Sequence, residues 1–223
     1  MGSTGHSGWC LRLGIGWIEG GGKEMSKQSN VFYRGTFDDY KVKHLRKAIT
    51  ESVVQFSVED SAYPKIKIFM SHKHSDLDDL KGVIGFLEQE YNVSIYTDGN
   101  DSTMPKVTSV ITAEKIKKQI KLCDKFILLA TNDAIHSIWC NWELGYSDSV
   151  KHGKIAILPM NDTNISEDNY SGNEYMELYP TIVFRDGTTR YNNTGEVITE
   201  GFYLRTKKGS GFTLKKFEDW LEE

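Results

Sequence analysis

A chain of 223 residues, 39% hydrophobic and 26% charged, is long enough to bury a large core and too apolar to be disordered. A net charge of −4 and a pI near 5.9 argue against a dedicated nucleic-acid binder, which carries a basic surplus. No apolar run reaches the roughly eighteen residues of a membrane span, and no basic n-region precedes an apolar stretch as in a signal peptide. Three cysteines (Cys10, Cys123 and Cys140), odd in number and in no paired spacing, fit a reducing cytoplasm.

The first 24 residues are Gly-rich and run into "GGGKEM". Such residues are what a purine-rich ribosome-binding site encodes when read through. The expectation is that translation starts at Met25 and that residues 1–24 are a non-native or disordered leader; N-terminal mass spectrometry of native protein checks this. "MGSTGH" has the Gly of a myristoylation signal but His6 where Ser or Thr is needed. Gly14, Gly16 and Gly20 miss the dinucleotide-loop spacing by one place and have no strand–helix context. Val42, Leu45, Ala48, Ile49 and Val53 recur at helical spacing within 36–56. They predict a helix packed on the main domain, within an N-terminal helical extension over 25–64.

From residue 65 the pattern alternates. "IKIFMS" (66–71) reads as a strand and "DLDDLKGVIGFLEQEY" as a helix that Asp76 can cap. "VSIYTD" (93–98) is a second strand and 108–123 a second helix. "KFILLAT" (125–131) is the most apolar strand, which places it centrally. A Trp-rich helix follows, and then "KIAILPM" (154–160). The fold class is α/β: a flavodoxin-like parallel sheet with helices on both faces over 65–160. Residues 161–223 form a C-terminal strand/helix extension packed on it. It has strand-like stretches in "YPTIVFRDGTTRY" and "EVITEGFYLRT" and a terminal helix capped by Thr213. Leu214, Phe217, Trp220 and Leu221 share a face of that helix.

Ligands of an open parallel sheet bind beyond the carboxyl ends of its strands, where strand order reverses. That rule selects Ser71, His72, Lys73 and His74 after the first strand and Asp98 and Asp101 after the second. It also selects the loop from Thr131 to Asp133, which leads into "SIWCNWELGYSD" (137–148). Trp139 and Glu143 lie four residues apart and share a helix face, so an aromatic plane and a carboxylate can border one pocket.

These residues carry a resemblance. The segment 65–160 resembles a Toll/interleukin-1 receptor (TIR) domain of the bacterial NAD-cleaving branch, as in Thoeris antiphage defence. "IFMSH" resembles the first-strand signature and "YTDGNDSTMP" the loop after the second strand. "SIWCNWELG" resembles the helix with the catalytic glutamate, and the tail from "YPTIVFRDGTTRY" resembles a stretch following bacterial TIR domains. The resemblance implies a TIR fold and cleavage of NAD+ at the nicotinamide–ribose bond, with a linear or a cyclic ADP-ribose product. Glu143 is then the catalytic carboxylate and Trp139 stacks on a substrate ring. Ser71 and His72 contact phosphate or ribose, and Asp98 contacts a ribose or holds its loop. NAD+ is the substrate and no cofactor is expected. Because no second effector domain is visible, the expected partners are a second copy through the 98–108 loop and a separate effector protein. Neither nucleic acid nor a membrane is expected.

Each role has a plainer alternative. Glu143 can be a helix-surface carboxylate, Asp98 a turn residue, and His72, Lys73 and His74 solvated loop positions. Trp142 reads as core packing and Cys140 as a small buried residue. His136 with Cys140, or His72 with His74, lacks a third metal ligand. The rival function is a TIR interaction module without enzymatic activity, acting through homotypic contacts of the 99–108 loop.

Overall fold

The computed structural model describes residues 30–41, 65–98, 109–162 and 174–223. Eight strands form one sheet: β1 (Phe32–Tyr33), β2 (Ile66–Ser71), β3 (Val93–Tyr96), β4 (Lys125–Ala130), β5 (Ile155–Asn161), β6 (Thr181–Arg185), β7 (Gly201–Lys208) and β8 (Gly211–Lys216). Their order is β3-β2-β4-β5-β6-β7-β8, with β1 paired to the carboxyl end of β5. All pairings up to β6 are parallel; β6–β7 and β7–β8 are antiparallel. The chain thus forms the expected α/β sheet, and its C-terminal strands extend the same sheet as a meander. β4 is central and buried at every residue, as its composition requires.

The described chain also holds the helices α1 (Leu77–Glu90), α2 (Val110–Leu122), α3 (Asn132–Ile135), α4 (Ile138–Val150) and α5 (Phe217–Glu222), beside short 3-10 turns at His74–Asp76 and Glu174–Leu178. Leu80, Val83, Ile84 and Leu87 of α1 recur at helical spacing and join Ile68, Met70, Ile127 and Leu129 in one core, together with Phe217 and Trp220 of α5. Ile116 and Ile120 of α2 and Cys140 and Leu144 of α4 join Phe69, Phe126 and Leu128 in a second core. Even and odd strand positions therefore face opposite helix layers. Ser109 caps α2, its Oγ accepting from the Thr112 amide, and Ser137 caps α4, accepting from the Cys140 amide.

Residues 30–41 supply more than the expected helix. β1 pairs Phe32 with Met160, and Phe32 and Phe37 enter the first core. Of the predicted 36–56 helix, residues 36 and 37 form a turn and 38–41 are helical; residues 42–56 lie outside the described residues, as do residues 1–24 and 99–108. Two capping expectations are corrected. Asp76 precedes α1 but makes no side-chain cap bond, because its carboxylate is engaged elsewhere. Thr213 lies inside β8, and α5 begins only at Phe217. The helical spacing of Leu214 with Phe217 misread a strand that passes directly into a short helix. Trp220 anchors that helix. Its Nε1 donates to the Gly153 carbonyl at 3.0 Å, and its own carbonyl accepts from the buried Lys125 ammonium at 2.5 Å.

Candidate functional site

Strand order reverses between β2 and β4, because the chain passes from β2 to β3 on one side and then crosses to β4 on the other. The carboxyl ends of β2 and β4 thus flank the crevice where such sheets bind ligands. Side-chain alternation decides what stands there. Phe69 faces the second core, so Ser71, two residues on, points to the same layer, the side of α2 and α4.

On α4 the buried positions are Cys140, Glu143, Leu144 and Ser147, a spacing of i, i+3, i+4, i+7. Glu143 therefore sits inside the stripe that would ordinarily be apolar, and only 2% of it is exposed. A carboxylate in that position is costly unless protonated or paired. Ser71 Oγ donates to Glu143 Oε2 at 2.5 Å. Burial pushes the Glu143 carboxyl up to about 8; the Ser71 hydrogen bond opposes this and the negative Asp98 adds to it. The free site thus holds a proton at neutral pH and can release it when positive charge arrives. Cys140, one turn earlier, shares these neighbours. Burial, with Glu143 nearby, raises its thiol above the ordinary value, so it stays protonated.

His72 follows Ser71 and is buried. Its Nδ1 lies 3.9 Å from Asp98 Oδ1, beyond hydrogen-bond reach, and has no hydrogen-bond partner among the described residues; neither has the buried Thr97 Oγ1. Burial lowers the His72 pKa, against the opposing pull of Asp98. The imidazole is therefore mostly neutral. Unpaired buried polar atoms at the carboxyl edge of a sheet are groups a polar ligand can satisfy.

Of the five residues singled out from the sequence, four stand in two pairs at this edge, and Trp139 joins a stack on the helix that carries Glu143. Ser71 meets Glu143 and His72 faces Asp98. Trp139 lies face to face with Trp142, ring centroids 4.9 Å apart and planes 18° apart. Trp142 is half-buried rather than enclosed in the core, and it stacks on Tyr146 at 6.0 Å. Lys117 Nζ lies 5.7 Å and 5.5 Å from the Trp142 and Tyr146 ring centroids. Residues 139 and 142 are one turn apart and share a helix face, and both rings pack against the second core. Lys73 and His74 are exposed. His136 is also exposed, its Nδ1 2.7 Å from the Asn132 carbonyl oxygen. Among the described residues no three His, Cys, Asp or Glu side chains converge as a metal site.

Sequence reasoning missed the residues that hold this edge together. Asp76, wholly buried, accepts from Thr131 Oγ1 at 2.6 Å and from Arg34 Nη2 at 2.9 Å. The aspartate had a competing reading as a helix cap, and nothing in the sequence ties Arg34 to a residue so far along the chain. Among the described residues no helix is long and apolar enough to cross a membrane.

No family model matches the chain. The chain is similar to a probable 3′ cyclic ADP-D-ribose synthase, ThsB′, of Bacillus cereus (strain MSX-D12), with 32% identity over 158 residues that span 70% of this chain and 75% of that protein.

Proposed function

The chain belongs to the TIR-type Thoeris family that includes this synthase, and from that premise we propose that it cleaves the nicotinamide–ribose bond of NAD+ and closes the remaining ADP-ribose into a cyclic signal. The observation that carries the reading is the carboxyl of Glu143, enclosed at the topological switch point and hydrogen-bonded to Ser71.

Nicotinamide is bound to the ribose through a positively charged nitrogen. When the C1′–N bond breaks, its electron pair stays on that nitrogen and nicotinamide departs neutral. No general acid is required, which distinguishes the reaction from ordinary glycoside hydrolysis with its two carboxyls. Positive charge builds on the ribose instead. The pyridinium and then the ribosyl cation favour the ionised form of Glu143, and the carboxylate offsets the charge at the moment it develops. A nucleophile of the same molecule then bonds to C1′, a hydroxyl giving up its proton to the Glu143 carboxylate; capture by water, with the same proton transfer, gives linear ADP-ribose. Trp139 stacks on an aromatic ring of the substrate, Ser71 and His72 contact ribose or phosphate, and Asp98 orders ribose or its own loop. No further cofactor takes part.

The work of such an enzyme is antiphage signalling in the cytoplasm, where NAD+ is held, and a separate effector protein receives the product. Its activity is gated, because unrestrained NAD+ loss kills the cell. Self-association through the 98–108 loop supplies the gate: Gly99 allows unusual backbone angles and Pro105 stiffens the far end. Specific activity then rises with protein concentration. Asp101→Lys with Met104→Glu lowers it without unfolding. Flat specific activity across a dilution series of light-scattering-confirmed monomer overturns the gate.

The central experiment incubates the purified protein with NAD+, across concentrations, and identifies products by mass spectrometry. Nicotinamide and a cyclic ADP-ribose in equal amounts are expected. Glu143→Gln, still folded, should lose about a hundredfold or more in turnover. Turnover within about threefold of wild type removes Glu143 from the mechanism. Absence of nicotinamide release at every concentration returns the protein to a non-enzymatic interaction module.

A further inference from the structure

We propose that Arg34 is a positioning residue for this site: acting through Asp76, it holds the chain segment behind Ser71 and His72 in the geometry that binds substrate. The kinetic consequence rests on the NAD+-cleaving reading; the clamp itself does not.

Arg34 lies in the turn after β1, in sequence well before the strands that build the site. Its guanidinium, 30% exposed, meets three carboxylates. Nη2 donates to Asp76 Oδ1 at 2.9 Å, Nη1 to Asp79 Oδ2 at 2.5 Å and Nε to Asp162 Oδ1 at 2.7 Å. Those carboxylates come from the turn after β2, from α1 and from the residue after β5. The backbone sets the fork in place: the Arg34 amide donates to the Asn161 carbonyl at 2.9 Å and the Gly35 amide to Asp79 Oδ1 at 3.1 Å.

Asp76 transmits the contact. The second oxygen of this fully buried carboxylate accepts from Thr131 Oγ1, and that hydroxyl in turn accepts from the Ala134 amide at 3.0 Å, capping α3. The Asp76 amide donates to the Lys73 carbonyl at 2.8 Å, which closes the turn that starts directly after His72. Ser75 Oγ donates to Asp133 Oδ2 at 3.1 Å, tying the same two loops a second time. These are the loops after β2 and β4, the two walls of the crevice. One of them carries His72 and the other leads into the helix of Glu143. Without Arg34, Asp76 keeps its Thr131 bond but is a buried anion with no cation, and the loops must shift or let in water. A lysine restores the charge but not a planar fork with three donors at fixed angles.

The test compares Arg34→Gln and Arg34→Lys with wild type, each checked by thermal melting. Loss of structure alone reduces the amount of active protein and leaves KM unchanged. Mispositioned walls raise KM, by about fivefold or more in both variants, since displacements near an ångström already cost large factors in rate. Arg34→Lys should recover much of the lost melting temperature and keep the raised KM. A second readout is independent of NAD+: with 13C-labelled histidine, the His72 resonance should move in both variants while that of His152, at the other end of α4, stays. Wild-type KM in both variants, or an unmoved His72 resonance, overturns the clamp. If wild-type protein releases no nicotinamide, the NAD+ reading fails by itself and the His72 resonance alone decides the role of Arg34.

Discussion

Ser71 and Glu143 meet across 2.5 Å although they are 72 residues apart, and each arrives by its own periodicity. The period of two along β2 points Ser71 to the α4 layer; the period of 3.6 along α4 puts Glu143 in its buried stripe. The hydroxyl lowers the Glu143 pKa, against burial and Asp98, which raise it. Ser71→Ala should therefore push the carboxyl further up. The acid limb of the kcat/KM profile, which reports the free enzyme, should lie near pH 8 in wild type and move to higher pH in the variant. Activity at pH 7 should fall about tenfold per unit of movement and return at alkaline pH. A profile that keeps its limb in place would separate Ser71 from the ionisation of Glu143.

The same carboxyl couples to stability. Its pKa is raised from an ordinary 4.5 to about 8 in the folded chain, so between those values the folded state holds a proton that the unfolded state has lost. This contribution is full below about pH 4.5, shrinks as pH rises and is gone above about pH 8. Glu143→Gln keeps a neutral group of the same shape and has no such dependence. The melting temperature of Glu143→Gln relative to wild type should therefore rise from pH 5 to pH 9. A difference that stays constant over that range contradicts the buried, proton-holding carboxyl.

Trp139 and Trp142 stack, so neither should act alone. Trp139→Ala should raise KM by removing the plane that meets the substrate. Trp142→Ala should also raise KM, by leaving Trp139 unsupported. Stacking contributes roughly 0.5–1.5 kcal/mol, or about two- to tenfold. Trp142→Phe should restore most of it. If Trp142→Ala lowers only the melting temperature and leaves KM unchanged, Trp142 is core packing after all.

Gly82 on α1 lies against the N-terminal segment: a Cβ there would come within 2.7 Å of the Phe37 carbonyl oxygen. Backbone cannot give way as a flexible side chain can, so Gly82→Ala should displace residues 30–41 from the sheet. The expected cost is about 1–3 kcal/mol, read as a lower melting temperature, together with faster proteolysis near residue 41. An alanine variant as stable and protease-resistant as wild type would mean that α1 and the segment shift apart freely.

The sequence by itself determined the elements whose signals are local. The strands read at 66–71, 93–98, 125–131 and 154–160 and the helices between them follow from apolar period and composition, and each matches a strand of the sheet to within two residues. With the rule for open sheets, that order pointed to Ser71, His72 and Asp98 and to the 131–133 loop that leads into the helix of Trp139 and Glu143. Only the tertiary structure decided what depends on pairing between distant segments. It put Glu143 inside the protein, where burial raises its pKa and Ser71 donates a hydrogen bond to it. It set Trp142 against Trp139, turned Thr213 from a helix cap into a strand residue, and drew Asp76 away from capping toward Arg34 and Thr131. A short polar side chain offers the same local bond to its own backbone whatever the fold. Whether it takes that bond or a stronger charged partner depends on which segment lies across from it, and for Asp76 that segment starts 42 residues earlier in the chain.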